Sequence, residues 1–169
     1  RRGSNGVGFI LGKNSARAWR ASGSKHLEVS SRVAVLTFTR RVKVKSATVQ
    51  PTVSEDVTVI VGYSPHTGHS DAMKQQYFDD LDVARGYGSN KGIVIMCMDG
   101  NASMGVACSS GMTGVCGRYG EPHVNEAGCK LRDYMSSRHM CAVSTYFKQK
   151  SYGTWKHMRS GLPYQIDHI

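Results

Sequence analysis

The chain is defined first by what it does not contain. No run of about 18 consecutive apolar residues occurs, so a transmembrane helix is not expected. The start, Arg1-Arg2-Gly3-Ser4, has no initiator methionine and no apolar signal segment behind it, and it reads as a cut into a longer chain or a processed one. Its 5 cysteines (Cys97, Cys108, Cys116, Cys129 and Cys141) form no C-x-x-C pair, and with the 7 histidines they offer no recognisable zinc spacing. The expectation is free buried thiols in an intracellular, reducing compartment. Internal repeats and low-complexity segments are absent. At 169 residues and 40% hydrophobic content, the chain is long enough for one compact domain with a real core and short for two.

Acid is almost missing from the first third. Residues 1–50 hold 11 Lys and Arg against one acid, Glu28, whereas residues 51–169 hold 11 basic and 11 acidic residues. The entire net charge of +10 therefore sits in the first fifty residues. Such a block points to a phosphate-rich partner, because neutralising phosphates releases condensed counterions. A solvated basic face that improves solubility is the plainer alternative. The charges are interleaved with strand-like apolar residues, which argues against a disordered tail.

Periodicity outlines a sheet-rich α/β domain. Residues 6–11 (G-V-G-F-I-L) read as a strand, followed by a polar stretch around Trp19 and Gly23. Residues 31–38 and 41–45 read as strands, the second alternating strictly. Residues 57–62 (V-T-V-I-V-G) and 93–98 (I-V-I-M-C-M) are continuous apolar runs, as expected of neighbouring central strands covered on both faces. Between them a helix is expected, capped near Ser70 or Asp71, with Met73, Tyr77, Leu81 and Ala84 inward and Gly86 and Gly88 ending it. A Gly-rich loop over 105–120 precedes a second helix at 126–138, with Leu131, Tyr134 and Met135 inward. Short strands are expected at 141–145, 152–155 and 165–169.

Polar groups follow three of these runs: Tyr63-Ser64-Pro65, Asp99-Gly100-Asn101 and Asp167-His168. Ligand sites in layered α/β folds gather beyond the ends of buried strands. Each group also has an ordinary reading, as a plain turn or as alternate faces of an edge strand.

Their order along the chain adds a resemblance. The succession G-V-G-F-I, S-S-R-V, V-I-V-G-Y-S-P, F-D-D-L, I-V-I-M-C-M-D-G-N-A-S-M-G, G-R-Y-G, N-E-A-G-C-K-L, Y-G-T-W-K-H-M-R-S and Q-I-D-H-I resembles the apurinic-endonuclease-like domains of non-LTR (LINE-type) retrotransposons. It is similar also to their domesticated relatives, the craniofacial development protein 2-like proteins, all within the endonuclease/exonuclease/phosphatase superfamily. The resemblance covers nearly the whole chain and implies one domain over 1–169. Its implied fold is a four-layered α/β sandwich, incomplete at both ends, and its implied reaction is magnesium-dependent phosphodiester hydrolysis on DNA or RNA.

By the same resemblance, Asp99 orients or deprotonates the attacking water and Asn101 holds that water or a phosphate oxygen. Tyr63 contacts the scissile phosphate and Asp167 orients the family's catalytic histidine. Thr154 and Trp155 match a segment lining the nucleic-acid side of the cleft, and Asn125 and Gly128 a structural turn into a helix. Arg32, Arg40, Arg41, Lys43 and Lys45 are the expected phosphate contacts, Lys43 and Lys45 sharing a face because they alternate with valines.

The departures matter too. Where the family has Gly-Asp-Phe-Asn, this chain has Met98-Asp99-Gly100-Asn101, a change expected to loosen the loop. The family's metal-binding Glu would fall before Arg1 and its terminal Ser-Asp-His after Ile169, so His168 is not expected to be the catalytic histidine. No residue is assigned as a metal ligand. The chain by itself is expected to be inactive, with a non-catalytic nucleic-acid-binding or structural subunit of a ribonucleoprotein assembly as the alternative. A phosphatase acting on a small molecule is a third reading, which the basic block disfavours.

Overall fold

The computed structural model describes residues 6–43, 52–89, 91–107 and 114–169. The architecture is mixed α/β, with three helices and a mostly antiparallel, partly parallel sheet. Backbone contacts gather into two compact units: Arg1–Gly62 with Asp79–Met96, and Tyr63–Phe78 with Cys97–Ile169. None of the helices of the described residues is long and apolar enough to cross a membrane.

The first unit is built on a meander of β1 (His26–Glu28), β2 (Val33–Lys43) and β3 (Thr52–Tyr63), with the start of β4 (Ile93–Asp99) beside β3. β2 and β3 pair antiparallel without a bulge, from Val33 opposite Gly62 to Lys43 opposite Thr52. The two strands expected at 31–38 and 41–45 are thus one strand as far as Lys43; residues 44 and 45 lie outside the described residues. Val33, Ala34, Val35, Leu36, Val57, Thr58 and Ile60 are buried, from both faces of the ladder. That double coverage explains the unbroken apolar run in the sequence.

α1 (Lys13–Ala21) replaces the polar stretch expected around Trp19. It is polar on average and none of its residues is fully buried, with Ala16, Ala18 and Trp19 half-buried. Gly23, at φ +87°, supplies the left-handed turn that ends it, and the indole Nε1–H of Trp19 donates to the Lys25 carbonyl at 3.0 Å. Residues 6–11 form no strand among the described residues. They keep a strand-like alternation all the same: Val7, Phe9 and Leu11 line a cavity of about 240 Å³ with Trp19, Leu27 and Val35, while Ile10 is fully exposed.

α2 (Asp71–Gly86) begins at the expected place, with the Met73 N–H donating to Ser70 Oγ. Tyr77, Leu81 and Ala84 are buried as their spacing requires, but Met73 in the first turn is exposed. Beyond the helix, Gly88 approaches β3 so closely that a Cβ would collide with the Thr58 hydroxyl. β4 departs from its expectation. Its burial alternates, and Ile93 and Ile95 are 38% and 37% exposed, so among the described residues one of its faces is only partly covered.

The second unit contains the end of β4, which pairs antiparallel with β7 (Asp167–His168). It also contains α3 (Glu126–Ser137) and the two-stranded hairpin of β5 (Trp155–Lys156) and β6 (Pro163–Tyr164). α3 buries Leu131, Tyr134 and Met135, the residues its periodicity selects. Asn125 caps it: the side-chain oxygen accepts from Gly128 N–H at 2.7 Å and from Ser103 N–H at 3.1 Å. Gly128 has no room for a Cβ beside the Ser103 carbonyl. The strand expected at 141–145 is instead a 3₁₀ turn, Val143–Tyr146. There the Thr145 hydroxyl donates to the Ala142 carbonyl and accepts from Gly117 N–H, a local network that competes with extended pairing.

All four described cysteines are free, but Cys129 and Cys141 are exposed, contrary to the expectation of burial. Burial pushes the thiols of Cys97 and Cys116 up from their ordinary range.

Candidate active site

The site residues expected from the sequence meet in the second unit. The Ser64 N–H donates to the Asp99 carbonyl at 2.9 Å, so the segment that begins with Tyr63 adjoins the end of β4. Tyr63 is half-buried there. Asn101 follows with φ +44°, a left-handed conformation that Asn tolerates better than most residues. Its backbone N–H donates to Asp99 Oδ1 at 3.1 Å and its side-chain amide donates to the Ser64 carbonyl at 2.8 Å. Asn101 therefore clamps the two segments together, a positioning duty that motif order could not reveal.

Gly100 is not loose. Its N–H donates to the Ile166 carbonyl at 2.8 Å, and a Cβ would meet that carbonyl and the His168 ring at 3.2 Å each. Glycine stands here because the space is taken, which corrects the expectation of a loosened loop.

Asp99 and Asp167 are directly opposed across the β4–β7 pair. Opposed side chains share one face, with Cβ atoms about 5 Å apart, and like charges so placed repel. Burial holds the Asp99 carboxyl above its ordinary range; the Asn101 N–H works against that rise and the Asp167 charge adds to it. Thr154 fixes Asp167 from behind, its hydroxyl oxygen accepting from the Ile166 and Asp167 backbone N–H groups at 3.1 Å each.

His168 points the other way. It is buried, its Nε2 lies 2.8 Å from the Ala102 carbonyl, and its Nδ1 has no hydrogen-bond partner. Burial pushes its pKa down, so it is a neutral structural strut.

Trp155 is 43% exposed on β5. It packs against His157 and Tyr164, with ring centroids 5.5 and 6.0 Å away, and Tyr164 in turn meets His123 at 5.4 Å. His157 and Tyr164 were given no role from the sequence; His157 belongs to the W-K-H-M-R stretch, whereas Tyr164 lies outside it. A cleft of about 90 Å³ next to Gly100 is bordered by Lys74 and Lys130, each held by its own acid, Asp71 and Glu126.

Asp99 and Asp167 offer two hard oxygen donors. Among the described residues, no three His, Cys, Asp or Glu side chains converge as a metal site.

The basic residues expected to touch phosphate are in the first unit and do not form one patch. Arg32 is half-buried at the start of β2, Arg40, Arg41 and Lys43 are exposed at its far end, and Lys45 lies outside the described residues. Comparison with family models, curated proteins and solved structures finds no match for this chain.

Proposed function

We propose that the second unit carries the base-and-orienting half of a phosphodiester hydrolase site of the endonuclease/exonuclease/phosphatase kind, on a four-layered sandwich plan. We propose further that this 169-residue chain acts on nucleic acid by binding rather than cutting. The observation that carries the reading is the Asp99–Asp167 pair. Two carboxylates opposed on adjacent strands cost stability, and such arrangements concentrate where chemistry needs them. A carboxylate held above its usual pKa, as Asp99 is, is a better proton acceptor for an attacking water. Asn101 and Thr154 hold the pair in place, and the Ser64 N–H ties the segment that begins with Tyr63 to the Asp99 carbonyl.

The reading of an inactive chain rests on the histidine next to the pair: His168 is buried against the Ala102 carbonyl, and loss of one member of a cooperating catalytic set costs on the order of 10⁴ to 10⁶ in rate. The alternative, a non-catalytic nucleic-acid-binding or structural subunit of a ribonucleoprotein, draws support from the exposed rings around Trp155, on which bases can stack.

The test incubates the purified chain with abasic duplex DNA, intact duplex DNA and RNA in millimolar magnesium. Binding without cleavage above background is expected. Cleavage that Asp99→Ala abolishes would overturn the inactive reading, and absence of salt-sensitive binding would overturn the nucleic-acid reading.

A further inference from the structure

The β2–β3 ladder continues beyond the core as an arm. Its last five residue pairs run from Thr39 opposite Asp56 to Lys43 opposite Thr52. At about 3.4 Å per residue this is an arm of roughly 17 Å. Every residue of it is exposed or half-exposed, and only its base is tied to the neighbouring chain, where the Thr39 N–H donates to Ser22 Oγ at 2.9 Å and Asp56 lies against Gly92.

The register divides the arm's side chains between two faces, since directly opposed residues project together and successive ones alternate. Thr39, Arg41 and Lys43 share one face with Asp56, Ser54 and Thr52. Arg40 and Val42 share the other with Glu55 and Val53. The faces differ in chemistry as well. On the second, Arg40 is closed on Glu55 in a contact of 2.6 Å, and two valines complete the surface. On the first, Arg41 and Lys43 form no ion pair among the described residues. The one acid there, Asp56, accepts the Thr39 hydroxyl at 2.9 Å. Two neighbouring arginines, equivalent in sequence, therefore face different surroundings: Arg40 is neutralised and Arg41 is open.

We infer that the arm is a two-stranded ribbon that enters the major groove of duplex DNA with its Thr39–Arg41–Lys43 face inward, Arg41 and Lys43 meeting phosphates and the hydroxyls of Thr52 and Ser54 flanking them. The inference rests on the nucleic-acid reading above and makes it specific. Charge complementarity selects the face. The groove is selected by shape: the B-form major groove, about 12 Å wide, admits a two-stranded ribbon, whereas the major groove of A-form RNA is deep and too narrow for side chains to read. Hydroxyl and guanidinium groups on one face suit both phosphate oxygens and base edges.

Fluorescence anisotropy of the full chain with one duplex sequence, made as DNA and as RNA, tests this across a salt series. Each DNA phosphate contact contributes about −0.9 to the slope of log affinity against log salt. The double variant Arg41→Gln with Lys43→Gln should flatten the slope by about 1.8 and weaken binding roughly thirtyfold at 0.15 M salt, extrapolating that slope from 1 M. Arg40→Gln should leave both within twofold, and Arg41→Lys should keep the slope. Duplex DNA should bind more tightly than duplex RNA. All four substitutions are at exposed positions, and a thermal melt confirms that each variant is folded. Equal losses from Arg40→Gln and Arg41→Gln would overturn the face assignment, and equal binding of duplex RNA would overturn the groove. Both results would leave the nucleic-acid reading standing. Absence of salt-sensitive binding by the unmodified chain would sink that reading and this inference together.

Discussion

Along a single eleven-pair ladder, the inner half of β2–β3 is buried from both faces and the outer half is exposed or half-exposed throughout. Backbone pairing is the same throughout, so hydrogen bonding does not distinguish the halves. Side chains do: V-A-V-L opposite V-I-V-G within, T-R-R-V-K opposite T-V-S-E-D without. The inner pairs remove apolar surface from water, and that burial is what stabilises the strands. The outer pairs inherit their register from the inner ones and contribute little burial, which leaves their side chains for recognition. A second contrast lies between this arm and the Asp99–Asp167 rim. The arm is open and tied beyond its ladder at its base, by the Thr39 N–H to Ser22 Oγ, whereas the rim is locked by Asn101, Thr154 and His168.

The largest effect expected from these contrasts is on stability within the ladder. Ile60 is fully buried, and Ile60→Ala should cost about 2–5 kcal/mol through lost burial and the cavity left behind. Val53→Ala on the exposed arm should stay within about 0.5 kcal/mol, as surface substitutions do. Urea unfolding of both variants measures this, and comparable losses would erase the distinction between the halves.

A pH effect should separate the rim from the arm. Burial lowers the His168 pKa, so the folded state resists a proton that the unfolded chain accepts below about pH 6.5. The stability His168 contributes is complete above that value and falls as pH drops through it towards the lowered folded value. Asp99 acts in the opposite sense: its raised pKa makes ionisation unfavourable in the fold, a penalty relieved only as pH falls into the carboxylate range. From pH 7 down to about 5 the histidine should dominate. Melting temperatures should decline over that interval, and His168→Gln should flatten the decline. An unchanged profile in the variant would show that His168 is not the group responsible.

The smallest effect concerns the opposed carboxylates. Asp167→Asn removes a like charge facing Asp99, and it should stabilise the fold by a few tenths of a kcal/mol, within the range for cross-strand pairs of about 0.2–1 kcal/mol. It should also lower the Asp99 pKa, because the Asp167 charge helps to raise it. Carboxyl-carbon NMR titration reads the pKa directly; a rise would mean that the two side chains do not face one another.

Much of the scaffold was legible before the structure. The apolar runs marked β3 and β4, helical spacing selected Leu81, Ala84, Leu131, Tyr134 and Met135 for burial, and Asn125 announced its helix. Other elements were hidden. α1 is polar on average and buries none of its residues, residues 6–11 alternate like a strand but form none, and 141–145 yields to the hydrogen bonds of Thr145. For β4, the composition of a doubly covered strand did not bring double coverage of Ile93 and Ile95.

The sequence by itself determined which segments carry apolar surface, where helices are capped, and that the positive charge gathers in the first fifty residues, because these depend on side-chain chemistry and short-range spacing. Only the tertiary structure decided that Asp99 faces Asp167, that Asn101 clamps Ser64, that Gly100 is crowded rather than loose, and that Arg40 and Arg41 point to opposite sides of one ribbon. These are matters of register and of contact between segments far apart in the chain. A shift of one residue in pairing reverses every face, and that choice is made by the packing of the whole unit.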